Sequence, residues 1–188
     1  MRRNTKRSSG FTLIELMITV AIIGILAATA TTLFMGQQLR SKRTEAMTNV
    51  EALAKMARAY FGEAGIYPAV GGPLPAPILT PNTTQWDAAS TAAFGTIGFR
   101  VEGGVRYRYD LDAGGECPCG SGACFTAVAF SDLEGDARIG GVGYFHRDGA
   151  GIECPTSLFV WNAPLDNGGV AQYDTAAPYL PSALHDDF

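Results

Sequence analysis

The chain has 188 residues, 47% of them hydrophobic and 17% charged, with a formal net charge of −4. That length suits one ordinary domain plus an appendage, and the composition excludes an intrinsically disordered chain. The acidic balance excludes a nucleic-acid surface as the default reading, because phosphate contacts need clustered Lys and Arg.

The charge is unevenly placed. Residues 1–10 carry Arg2, Arg3, Lys6 and Arg7 and no acid, so loss of this leader takes the net charge from −4 to −8. From Leu16 to Leu39 no side chain is charged. About 20 apolar residues in a helix cross a hydrocarbon core of roughly 30 Å, so this run is long enough to span a bilayer. Four cations before the span put the N-terminus in the cytoplasm and everything after Leu39 outside. A secretory signal peptide is the rival reading, with "AATATT" at 27–32 supplying the small residues of a cleavage site. Glu15 decides against it. A lone carboxylate in hydrocarbon costs a few kcal/mol, and an ordinary signal core has no use for one. Glu15 therefore needs a partner, unless it only marks the interfacial end of an anchor and snorkels to the headgroups.

The string "GFTLIELMITVAIIGILAA" at 10–28 resembles the N-terminus of type IV prepilins and of the related type II secretion pseudopilins. The resemblance implies that a membrane prepilin peptidase cuts between Gly10 and Phe11 and methylates the new amine of Phe11. It also implies that residues 11–39 serve as transmembrane and polymerisation helix, and that Glu15 meets the Phe11 α-ammonium of a neighbouring subunit. The physics agrees, since an amine and a carboxylate both stranded in an apolar bundle gain most by pairing. One departure is Thr32, where many members have a proline that kinks or unwinds the helix. Gly24 is then the remaining weak point.

The helical pattern continues over 40–61, where Met47, Val50, Ala54, Ala57 and Phe61 share one face. One helix from Phe11 to Phe61 would be roughly 75 Å long, stopped by Gly62 and Gly65. Residues 67–84, rich in Pro and Gly, predict an irregular loop. Strand signals follow. "GFRVEGGVRYRYDL" predicts a hairpin, with Phe99 and Val101 on one arm, a turn at Gly103 and Gly104, and Val105, Tyr107 and Tyr109 on the other. Residues 124–130, 141–147 and 157–161 predict further strands, with a turn at Asp148 and Gly149. An antiparallel sheet of about four strands on the amphipathic half of the helix is the economical arrangement. The strings "AYFGEAGIYP", "IGFRVEGGVRYRYDL" and "FTAVAFSDLEGDA" resemble, more loosely, heads of pilins of the myxobacterial type. The 27 residues after Trp161 are turn-rich, and lie over the sheet or form a tail.

Cys117, Cys119, Cys124 and Cys154 all fall in the part placed outside the cytoplasm, where an even number means disulfides first. Bridging Cys117 to Cys119 is geometrically poor. Two connectivities stay open: 119–124 with 117–154, or 117–124 with 119–154. A four-thiolate zinc site has the wrong spacing and the wrong compartment. Asp132, Glu134 and Asp136 alternate like the opening of a calcium loop, but lack its glycine and distant glutamate, so an acidic exposed turn is the simpler reading. His146 and His185 stand apart from any nucleophile or metal motif. "GGVG" at 140–143 opens no helix and is no phosphate cradle, and "RYRYD" at 106–110 points its cations and aromatics to opposite faces of a strand.

The fold class is therefore α+β: a long N-terminal α-helix, half transmembrane and half amphipathic, on an antiparallel β-sheet head over 62–188. The resemblance implies a structural subunit of a type IV pilus for adhesion and motility, with no enzymatic role and no cofactor. Its alternatives are a minor pilin that primes assembly or acts at the tip, and a type II secretion pseudopilin. The implied partners are other pilin subunits, the prepilin peptidase and methylase, and an inner-membrane assembly platform. The implied location is the inner membrane before assembly and an extracellular pilus afterwards.

Overall fold

The computed structural model describes residues 10–68, 70–75, 81–114, 117, 123–133, 135, 139–155, 163–165 and 170–179. Residues 1–9 of the leader, the strand expected at 157–161, Cys119, Glu134, Asp136 and His185 lie outside them. In chain order the elements are α1 (Leu13–Ala64), β1 (Val70–Leu74), β2 (Thr84–Gln85), α2 (Ala88–Gly95), β3 (Gly104–Val105), β4 (Arg108–Ala113), β5 (Phe125–Ser131), β6 (Gly140–His146) and β7 (Ala176–Tyr179). The chain divides into two compact units, Met1–Leu39 and Arg40–Phe188, and α1 contributes to both.

In the first unit the helix is apolar all round, with Ile14, Leu26 and Phe34 each more than 60% exposed. A continuous apolar surface of this kind belongs in lipid or against other helices. Its threonines are adapted to such a medium. The hydroxyls of Thr19, Thr29 and Thr31 donate to the carbonyls of Leu16, Leu26 and Ala27 at 2.8, 3.0 and 2.8 Å, so each is satisfied without water. Among the described residues α1 is the one helix long and apolar enough to cross a membrane.

In the second unit α1 buries Ala46, Val50, Leu53, Ala54 and Ala57, each at most 1% exposed, a stripe at helical spacing. Met47 and Phe61, expected on this face, stand at its edges: Met47 is 36% exposed and Phe61 half-buried. Three of the five fully covered positions, 46, 54 and 57, carry alanine, so the buried stripe is centred nearer Ala46 than Met47. The helix also runs past Gly62, ending where Gly65 adopts φ 72° and its N–H bonds Phe61 O at 2.8 Å.

The five-stranded sheet has the order β1-β4-β5-β6-β7, antiparallel throughout. β5 and β6 fall within one residue of their predicted bounds. The predicted hairpin does not form: β3 pairs with β2 in a separate two-stranded ladder, β4 pairs with β1 and β5, and Phe99 and Val101 lie outside strands. β1 arises inside the stretch expected to be irregular, where Gly and Pro hide the strand signal and an edge position tolerates Pro73. β7 brings part of the C-terminal stretch into the sheet, as its other edge.

β5 is buried at all seven positions because both faces of the sheet are covered. On one face Val128, Phe130, Phe145 and Ala163 form a cluster joined by Ile139, Ala171 and Tyr173. The last glycine of "GGVG" serves this packing: a Cβ on Gly143 would sit 2.5 Å from Phe145 Cε2. On the other face Asn49 of α1 donates to the Tyr109 hydroxyl at 2.7 Å. A second cluster, Trp86, Phe94, Phe99 and Tyr109, has ring centroids 5.5 to 6.1 Å apart. α2, for which the sequence reading gives no element, supplies Phe94 to this cluster. Its N-cap Asp87 accepts the Ser90 N–H at 2.7 Å, and that bond with the Ser90 hydroxyl holds the Asp87 carboxyl below its ordinary value.

Candidate functional site

The site read from the sequence is the N-terminal segment around Gly10, Phe11 and Glu15. Gly10 and Phe11 precede the helix and are exposed, so the bond between them is accessible. Helix α1 opens with a capping box formed by Thr12 and Glu15. Thr12 donates to Glu15 Oε2 through its backbone N–H at 2.9 Å and through its hydroxyl at 2.7 Å. Glu15 N–H returns a longer bond to Thr12 Oγ1 at 3.3 Å. The carboxylate also sits at the positive end of the helix dipole. The sequence reading missed this use of Glu15, although "TLIE" at 12–15 is the [ST]-x-x-[DE] signature of a helix start. Both Thr12 donors fall on Oε2, so Oε1 can accept a further cation.

The cysteines form a second constellation. Cys117 is joined to Cys154 by a disulfide across 37 residues, with Cα atoms 4.7 Å apart, which is one of the two connectivities the sequence leaves open. Cys124 is also disulfide-bonded, and Cys117, Cys124 and Cys154 form one buried cluster. Sulfurs held in disulfides have no thiolate to offer zinc. The acidic turn is built locally, Asp132 Oδ1 accepting the Gly135 N–H at 2.6 Å. Among the described residues no three His, Cys, Asp or Glu side chains are placed to hold a metal ion.

A third cluster was not legible in the sequence. At the end of β6, His146 Nδ1 lies 2.6 Å from Asp174 Oδ1, and the Arg58 guanidinium donates to the same oxygen. That geometry sets the tautomer, with Nδ1–H donating to the carboxylate. Arg58 also lies 5.2 Å over the Tyr144 ring. Tyr67 and Phe125 flank the imidazole at 5.7 and 5.2 Å. Burial raises the Tyr67 and Tyr144 phenols above their ordinary value, against the opposing pull of Arg58. The arrangement ties α1, β6 and the turn before β7 together. Arg58 and Asp174 are 116 residues apart, and no local pattern announces such a contact.

Comparison with known proteins bears on the N-terminal segment most directly. A family model for the prokaryotic N-terminal methylation motif matches residues 5–31. The chain is 41% identical over 116 residues to the type IV major pilin protein PilA of Myxococcus xanthus, covering 61% of this chain and 42% of that protein. It is 41% identical over 86 residues to a fimbrial protein of Pseudomonas aeruginosa, covering 46% of this chain and 51% of that protein. It is 28% identical over 83 residues to the type II secretion system core protein G of Vibrio cholerae, covering 44% of this chain and 57% of that protein. The chain thus spans roughly half the length of the curated relatives it matches. No solved structure matches. The N-terminal segment thus carries the prokaryotic N-terminal methylation motif, and the chain is similar to type IV pilins and, more distantly, to a type II secretion core protein.

Proposed function

We propose that this chain is the structural subunit of a type IV pilus, anchored in the inner membrane before assembly and extracellular in the filament. The observation that carries the reading is the coincidence of two features in one helix. The methylation motif covers its start, and the same helix continues into the core of the head. A bundle of such helices would bury the apolar surface that the first unit exposes, while heads tile the outside.

In this reading a peptidase removes residues 1–10 by cutting after Gly10, and Phe11 becomes the methylated N-terminus. Glu15 then has two tasks on two oxygens. Oε2 caps its own helix through Thr12, and Oε1 receives the Phe11 ammonium of an incoming neighbour. A buried amine without that acceptor is the costly outcome, so the pair sets the register of each added subunit. The Cys117–Cys154 disulfide and the Arg58–Asp174 tie keep the head intact outside the cell. The role is mechanical, with energy supplied by the assembly machinery.

The test is genetic. Cells lacking the chain should carry no filaments, and the intact chain should restore them while Gly10→Val, retained in the membrane with its leader, should not. Normal filaments without the chain would refute the role of main subunit.

A further inference from the structure

The uncharged run that begins at Leu16 ends in three cations within four residues, Arg40, Lys42 and Arg43, and no acid occurs between Leu16 and Arg43. The first acid beyond them, Glu45, is held by Arg106. Its two oxygens accept the Arg106 backbone N–H and guanidinium, each at 3.0 Å. The next acid, Glu51, pairs with Lys55. Among the described residues neither of these two acids pairs with Arg40 or Lys42. Arg40 is exposed and Lys42 half-exposed, whereas Arg43 is engaged elsewhere in the chain.

We propose that Arg40 and Lys42 form a collar that binds the phosphates of anionic phospholipids at the outer surface of the bilayer, which fixes the depth of the unassembled subunit. The inference rests on the membrane-spanning reading above. Three observations favour a lipid surface. The uncharged run of 24 residues spans roughly 36 Å as helix, so its end reaches the headgroup layer. The rise from residue 40 to 43 is about 4.5 Å, within the thickness of one headgroup layer. At about 100° per residue Arg40 and Lys42 point to nearly opposite sides of the helix, roughly 160° apart. A protein partner engages one face, whereas a plane of phosphates surrounds the helix and meets both. Each cation near an anionic leaflet is worth about fivefold in lipid affinity.

The experiment titrates the full chain in mild detergent with phosphatidylglycerol or phosphatidylcholine, and counts bound lipids by native mass spectrometry. The wild type should prefer phosphatidylglycerol, with the preference falling as salt rises. Arg40→Gln/Lys42→Gln should lose on the order of 25-fold of that preference. The leader is common to both proteins and cancels in the comparison. Arg40→Lys/Lys42→Arg, which keeps the charges, should keep the preference. A wild type with no preference, a double Gln variant that retains it, or a charge-preserving variant that loses it would each overturn the collar. Extraction of the wild-type chain from membranes by alkaline carbonate would instead refute the span itself, a failure seen before any lipid is added.

Discussion

Arg106 grips both oxygens of Glu45, its backbone N–H on Oε1 and its guanidinium on Oε2, each at 3.0 Å. The pair fastens α1 to the segment between β3 and β4, and both side chains are about two-thirds or more buried. One turn further along the helix, Asn49 reaches Tyr109. These polar ties set which residues of the amphipathic half face the sheet, a choice that apolar burial alone would leave loose.

Removing Glu45 should therefore destabilise the head. Glu45→Ala strands the Arg106 N–H and a partly buried guanidinium, a loss of about 1–3 kcal/mol. Glu45→Gln keeps an acceptor and should lose less. Denaturant unfolding of the two full-length variants in detergent checks the ranking, and equal stability of Glu45→Ala and wild type would refute it.

Alkaline pH should loosen the head. Burial raises the Tyr109 phenol far above its ordinary value, and Tyr67 and Tyr144 are shifted the same way. A group whose folded pKa is raised keeps its contribution below the unfolded pKa, about 10 for tyrosine. It loses that contribution as pH rises beyond it, because the unfolded chain releases the proton first. The tyrosine contribution to stability should be constant through neutral pH and fall above about pH 10. Tyr109→Phe should flatten part of that fall while costing about 1 kcal/mol for the lost Asn49 bond. Thermal unfolding against pH, with phenolate absorbance as the titration readout, decides it.

The Cys117–Cys154 link closes a loop that contains β5 and β6. By chain entropy a loop of that size contributes about 4 kcal/mol. Cys117→Ser/Cys154→Ser should lower the unfolding free energy by a comparable amount, and non-reducing peptide mapping of exported wild type should find all four cysteines oxidised. Alkylatable thiols in the exported protein would contradict the connectivity.

How legible all this was in the sequence depends on how local each feature is. The apolar run and the methylation motif are plain in the sequence because each lies in consecutive residues. β5 and β6 were found because apolar β-formers fill them. The hairpin at 99–109 was wrongly drawn because Gly103 and Gly104 look like a turn. The contest was settled by distant partners: β2 took β3, and β1 with β5 took β4. Ala46 was passed over for Met47 since hydrophobicity ranks methionine higher, while the fold buries the alanine and leaves the methionine at the edge. The Arg58–His146–Asp174 cluster joins three elements far apart in the chain, and only the fold brings them together.

Glu15 separates assembly from insertion. Glu15→Ala should enter the membrane at least as well as wild type, because removing a charge eases insertion. It should then be depleted from filaments, and Glu15→Leu should behave alike despite its greater apolarity. Thr12→Val, which loses only the hydroxyl of the cap, should weaken the helix start by about 1 kcal/mol and reduce filaments less. Membrane and sheared-filament fractions of each variant provide the comparison. Wild-type assembly by both Glu15 variants would reduce the residue to an interfacial anchor.

The most direct test of the central claim is the intact mass of this chain recovered from filaments sheared off the cell surface. The account predicts a chain that begins at Phe11, carries one added methyl group on its amine and contains no residue of the leader. Recovery of a filament chain that still holds residues 1–10, or absence of the chain from purified filaments, would contradict it.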